Sequence, residues 1–288
     1  MTRTILVFVV AAIGLSGVAQ AQIRASERAA VTQTVDGTTI TMDYSRLHVR
    51  GRDTLFGGVV PWGKVWTGAN WATTIEVNRD ITIDGYALAT GVYSVWFEVQ
   101  PEEWTVIFDP EPRRFHLFPP QPSDEQIRFP VRPTEYAHTE LLTWEFRDVR
   151  PTGTTLQLAW GTTGVSFDIG VSPSRPVTVA EGMAKRYVGS YRLGLRPPLG
   201  SEEVPFDIRY ENEHLVATWE SAPNPNLRET WLVSLGEGMF AIAELHDGEL
   251  FDVVVDLVLE FPLDEGKATG FEMRALGDEL WATAERSP

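Results

Sequence analysis

The sequence predicts an all-β protein: an antiparallel β-sandwich followed by a second, smaller antiparallel β unit of barrel kind. Two observations carry that prediction. Apolar and polar residues alternate with a period of two through most of the chain, while helical periodicity is scarce. Clusters of Gly, Pro, Asp and Asn punctuate the alternating runs at the short intervals of antiparallel proteins. Strands with one wet and one dry face need a second layer over the dry one, hence a sandwich or a barrel.

In chain order, Arg3, the apolar run Ile5 to Ile13 and Ala19-Gln20-Ala21 have the three-part layout of a cleavable export signal. Cleavage is expected after Ala21, placing the mature chain in the periplasm or outside the cell. The apolar run falls short of the ~20 residues that span a bilayer, and no later stretch is long and apolar enough, so no membrane span is expected in the mature chain. Asp36-Gly37 marks a hairpin, after which Ile40, Met42 and Tyr44 alternate with Thr39, Thr41 and Asp43. Strands are expected at Val92 to Val99 and at Trp104 to Phe108. Three further runs place Leu142, Trp144 and Phe146, then Leu156, Leu158 and Trp160, then Val165, Phe167, Ile169 and Val171 on dry faces.

Ser172-Pro173-Ser174-Arg175-Pro176 reads as a linker, because two prolines and small polar residues stop strand pairing. It separates residues 22–171 from a unit at 177–288. There a short helix is expected around Gly182, then strands at Phe206 to Tyr210, Leu215 to Trp219, Thr230 to Leu235, Met239 to Leu245, Phe251 to Phe261 and Phe271 to Ala275. In the long run, Phe251, Val253, Val255, Leu257, Leu259 and Phe261 are expected to face inward, with Asp252, Asp256 and Glu260 in solvent.

Composition narrows the functions. Among 288 residues there is no Cys, which excludes zinc ribbons, thiol redox motifs and Cys nucleophiles. Acids outnumber bases 40 to 24, so a nucleic-acid surface is not expected. An exported chain without Cys holds together by core burial alone, which its length permits.

One segment is not generic: Gly51 to Thr74, reading GRDTLFGGVVPWGKVWTGANWATT. With Ile81 to Gly91, Tyr93, Glu103 to Phe108 and Leu158 to Ile169, it resembles the DUF2911 family over about residues 31–171. The resemblance implies an exported bacterial β protein and no assigned activity. Where the family pattern has Trp-Arg-x-Gly-Ala-Asn, this chain has Trp66-Thr67-Gly68-Ala69-Asn70, without the Arg and one residue shorter. Tyr187-Val188-Gly189-Ser190-Tyr191 is similar to small lipocalin-like modules appended to secreted hydrolases.

The 51–74 segment is also the candidate binding site. Arg52, Lys64 and Asn70 offer hydrogen-bond donors, Trp62, Trp66 and Trp71 offer apolar walls, and Thr73 closes the stretch. The alternative is a structural plug in which Trp fills space and Arg and Asn satisfy turn carbonyls. Arg46, His48, Arg50 and Arg52 recur at every second residue; an extended backbone would align them as an anion-attracting strip, or as the charged face of an edge strand. The five His are scattered without metal-ligand spacing, and the acids between 247 and 264 have no calcium-loop pattern, so no metal and no cofactor is expected. Adjacent pairs such as Glu102-Glu103 point apart on a strand, and no catalytic signature is present. The reading is therefore a non-catalytic envelope binding module for a small molecule, glycan or protein partner. The alternatives are a hydrolase with a site assembled by the fold, and a purely structural protein.

Overall fold

The computed structural model describes residues 26–68, 70–275 and 278–288; the expected export signal lies outside the described residues. Alternation becomes strand throughout. The first eleven strands are β1 (Arg28–Val35), β2 (Thr38–Ser45), β3 (Val65–Trp66), β4 (Thr73–Val77), β5 (Ile81–Ile83), β6 (Tyr86–Leu88), β7 (Gly91–Glu98), β8 (Trp104–Asp109), β9 (Ile127–Val131), β10 (Thr134–Arg150) and β11 (Gly153–Val171). They form two antiparallel sheets, one ordered β1-β2-β4-β7-β8-β9 with β3 added on β7, the other β10-β11-β5-β6. The dry faces meet in one core. Ile40, Met42, Ile75, Phe97 and Val106 of the first sheet are buried with Leu142, Trp144, Leu158, Phe167 and Ile169 of the second. At one side the sheet edges touch through Tyr86 on β6 and Phe129 on β9, whose rings stack with centroids 4.4 Å apart.

Strand β9 escapes sequence reading because Pro130 interrupts it. The structure places β9 at a sheet edge, where a residue without an N–H is tolerated, with Pro130 opposite Thr105.

Ten strands follow: β12 (Gly189–Leu195), β13 (Glu203–Glu211), β14 (His214–Thr218), β15 (Glu229–Gly236), β16 (Met239–His246), β17 (Glu249–Glu260), β18 (Leu263–Asp264), β19 (Lys267–Ala268), β20 (Gly270–Ala275) and β21 (Glu279–Arg286). Eight close into an antiparallel barrel, β12-β13-β14-β15-β16-β17-β20-β21, with β12 pairing back onto β21. The interior is packed rather than hollow: Tyr187, Tyr191, Phe206, Trp219, Phe240, Phe261 and Phe271 are all buried in one cluster. Small barrels fill themselves with side chains in this way. The short helix α1 (Glu181–Ala184) runs through Gly182 and buries Ala184 in the same cluster. This cluster shares no residue with the sandwich core.

The long run on β17 departs from the expected alternation. Phe251 and Val255 are 58% and 56% exposed, whereas Leu257, Leu259 and Phe261 are buried as expected. The pairing with β16 passes from Ala241↔Val258 to Ile242↔Val254, and slips again between Glu244 and Leu245. The first slip is an odd number of residues, and with a side-chain period of two it exchanges the faces. Val254 packs against the core in place of Val253 and Val255.

Tyr191 gives the barrel a pH signature. Its hydroxyl donates to the Tyr187 carbonyl oxygen at 2.6 Å, and burial raises its pKa from 10.0 to about 12, against the opposing effect of Arg286. The neutral phenol is thus favoured in the folded state; its stabilising effect is complete below pH 10 and declines as pH rises toward 12. Alkaline unfolding of the barrel should begin in that window, and Tyr191→Phe should flatten the dependence there. An unchanged alkaline profile in the Phe variant contradicts the assignment.

Candidate functional site

The chain leaves β2 at Ser45 and crosses to the other sheet. The amide of Leu142 donates to the Leu47 carbonyl oxygen, and that of Val49 to the Glu140 carbonyl oxygen, both at 2.8 Å. Arg50 then adopts φ +55° and Gly51 φ +64°, so the backbone turns instead of extending. This corrects the expected basic strip, because Arg46, His48, Arg50 and Arg52 do not share one extended face. Arg46 donates to the Thr143 hydroxyl at 3.2 Å, and Glu140 accepts from the Arg50 amide at 3.0 Å. That amide is the main cause holding the Glu140 carboxyl below its ordinary pKa, with His138 and His48 adding smaller effects. Glu140 also lies 3.5 Å from the His138 imidazole and 3.9 Å from that of His48. An acid beside a His is what the hydrolase alternative asks for; here Glu140, His138 and His48 are all about half exposed, and Glu140 anchors the turn.

Arg52 holds the same turn from the other side. Its guanidinium group donates to the carbonyl oxygens of Val49, at 2.7 Å, and His48, and lies 5.5 Å from the centroid of the Trp160 ring. Two tight turns follow, closed by the Val60 amide donating to Leu55 O and the Gly57 amide to Val60 O, both at 2.8 Å. Gly57 has φ +84°, and a Cβ there would stand 2.5 Å from the Trp62 indole. Only glycine allows Trp62 to lie across this turn. The Gly63 amide ties the segment to the Val99 carbonyl oxygen, and β3 adds to β7 through Val65↔Glu98 and Trp66↔Phe97.

Beneath these turns four rings pack together. Phe56 contacts Trp104 (4.5 Å), Trp66 (5.4 Å) and Trp160 (5.8 Å), while Trp66 stacks on Trp160 with planes 9° apart. The indole N–H groups of Trp104 and Trp160 are buried without a hydrogen-bond partner, and each residue is 1% exposed. Buried donors are normally paired, so two orphans in one aromatic cluster call for an explanation.

The expected site residues divide among three places. Arg52 and Trp62 line a cleft of about 530 Å³, together with Trp104 of β8, Glu135 and His138 of β10, and Thr162 of β11. Lys64 and Trp66 line a separate pocket of about 230 Å³. Trp71 is half exposed on a third surface, edge-on to Phe115 and 5.7 Å from Arg113; there the Asn70 carbonyl oxygen accepts from the His116 amide. Thr73 is buried. Its amide donates to the Thr67 hydroxyl and its own hydroxyl to Thr67 O, closing the 67–73 loop as a structural clamp.

Sequence reading missed Trp104, Glu135 and His138 as cleft residues. Trp104 looks like any core residue of a strand. Glu135 and His138 reach the cleft where the β10–β11 pairing shifts register between Glu135 and Thr143, a place no local pattern marks. Gly161, opposite Thr139, has φ +64° and leaves room for Leu55. The wall carrying His116 is fixed by buried Asp109, which accepts from the Glu111 amide (3.0 Å), Arg114 Nε (3.1 Å) and Gln126 Nε2 (2.6 Å). Among the described residues, no group of three or more His, Asp or Glu is placed to hold a metal, and no helix is long and apolar enough to cross a membrane.

A family model described as a protein of unknown function, DUF2911, matches residues 26–169, half of the chain. No curated protein and no solved structure matches it.

Proposed function

The chain belongs to the DUF2911 family, and from that premise we propose that its family part is a binding module whose cleft takes a neutral polyhydroxylated ligand of the glycan class. One observation carries the reading: an indole, Trp62, is 45% exposed and held over Gly57 in the lining of a cleft that is also lined by Trp104, whose buried indole N–H has no partner. A sugar ring has an apolar C–H face that covers an indole, and hydroxyl edges that accept from an indole N–H and pair with polar walls. The charged lining groups, Arg52 against Asp53 and Glu135, give no strong field of one sign, which suits an uncharged ligand. Thr54, Thr134, Thr162 and Thr163 add hydroxyls around the same space.

Titration calorimetry against a panel of neutral envelope oligosaccharides tests this. Trp62→Ala should weaken binding by about tenfold or more, equivalent to ~1.4 kcal/mol. Absence of binding across the panel, or unchanged affinity in a folded Trp62 variant, removes the reading.

Two further parts belong to the proposal. Residues 22–171 and 177–288 fold as separate domains joined by 172–176, supported by their separate sheets and cores. Removal of residues 1–21 delivers the protein to the periplasm or the exterior, a reading supported by the three-part start of the sequence. Protein recovered outside the cytoplasm should begin at Gln22; an intact Met1 in that fraction opposes it.

A further inference from the structure

We propose that the smaller pocket is a second site, distinct from the cleft, that takes a small organic monocarboxylate with a flat or short apolar body. The pocket is lined by Val60, Pro61, Lys64, Trp66, His116 and Trp160, and Leu47, Val59 and Val65 add to its apolar surface. The stacked indoles of Trp66 and Trp160 both border it.

The polar groups are what select the ligand. No Asp or Glu lines the pocket, although the chain carries 40 of them and a net charge of −16. The Lys64 ammonium has no hydrogen-bond or ion-pair partner among the described residues, and the Trp160 indole N–H is buried and unpartnered. The Thr67 hydroxyl is already committed, donating to the Val95 carbonyl oxygen at 2.6 Å and accepting from the Thr73 amide at 3.0 Å. His116 adds an imidazole at the wall. The side-chain groups left without a partner are thus the Lys64 ammonium and the neutral Trp160 N–H, with the His116 imidazole beside them at the wall. Such a set is satisfied by an acceptor carrying negative charge. An ammonium is a point charge suited to a carboxylate, and lacks the fork that favours bidentate recognition. The volume lies below the roughly 300–1,000 Å³ of sites for drug-sized ligands, which limits the occupant to about one ring or a short chain beside its charged group.

The site stands independently of the glycan reading, because the cleft and the pocket share no lining residue. The test is titration calorimetry on the mature full-length chain with acetate, hexanoate, benzoate and phenylacetate, each against its primary amide. At least one apolar acid should bind saturably and exceed its amide by about tenfold, which at 25 °C is ~1.4 kcal/mol. Acetate should bind more weakly, since it leaves the bordering indoles uncovered. Lys64→Gln, an exposed substitution checked for folding by its melting temperature, should abolish the preference for acid over amide. Trp160→Phe keeps a ring and removes the N–H, and should lower acid affinity several-fold. Trp62→Ala, in the cleft, should leave acid binding unchanged. No saturable binding by any acid, equal binding of acid and amide, or an acid preference that survives Lys64→Gln overturns the proposal.

Discussion

Replacing Trp160 by Ala should cost about 3–5 kcal/mol of stability, the largest single loss expected in the sandwich. The residue is 1% exposed, stacks on Trp66 with centroids 5.8 Å apart, contacts Phe56 edge-on and carries the Arg52 guanidinium over its ring. Its removal therefore takes away buried apolar area, two ring contacts and the support of the turn that Arg52 holds. The surrounding strands belong to two hydrogen-bonded sheets and are poorly placed to collapse into the space. Urea unfolding followed by tryptophan emission measures the loss. Trp160→Phe should cost much less, because a ring remains and the deleted N–H was an unsatisfied donor. A loss below about 1 kcal/mol in the Ala variant would mean that the aromatic cluster does not brace this end of the sandwich.

Phe261→Ala should have an effect of the same size in the barrel, about 3–5 kcal/mol. Phe261 contacts the rings of Tyr187 (5.2 Å), Tyr191 (6.2 Å), Phe240 (5.6 Å) and Phe271 (4.9 Å), so one deletion loosens the whole interior. For a unit of this size such a loss lowers the melting temperature by more than about 10 °C. If the two halves are separate domains, calorimetry should show the barrel transition falling while the sandwich transition stays in place. The Trp160 variant should show the converse. A single transition that moves as one in both variants contradicts the division at 172–176 and leaves the separate cores as parts of one cooperative unit.

Much of the fold could be read from alternation alone, because a strand between water and a core writes its two faces into the sequence. Ile40, Met42 and Tyr44, and likewise Leu156, Leu158 and Trp160, are buried as their spacing requires. The misreadings have one physical origin: interactions that a local window does not contain. Strand β9 depends on its edge position, which excuses Pro130 from donating. The outward turn of Phe251 and Val255 depends on slips against β16. The basic strip failed at Arg50, where a positive φ turns the chain.

The candidate site was legible as a segment and illegible as a shape. Its glycines and tryptophans announced ordered turns, yet Trp62 lines the cleft and Lys64 a separate pocket. Thr73, grouped with the binding residues from sequence, proved to be a clamp on Thr67. Trp104, Glu135 and His138 come from strands distant in sequence, and only the assembled sheets bring them to Arg52 and Trp62.

The most direct test of the binding account follows the indole N–H resonances of the ten Trp during titration with the oligosaccharides. An unpartnered N–H that gains an acceptor moves its resonance strongly, and a ring covered by a sugar moves its own. The account predicts saturable shifts for Trp62 and Trp104, with the three barrel indoles of Trp219, Trp231 and Trp281 unmoved. Shifts confined to the barrel, or a spectrum that no oligosaccharide perturbs, would contradict it.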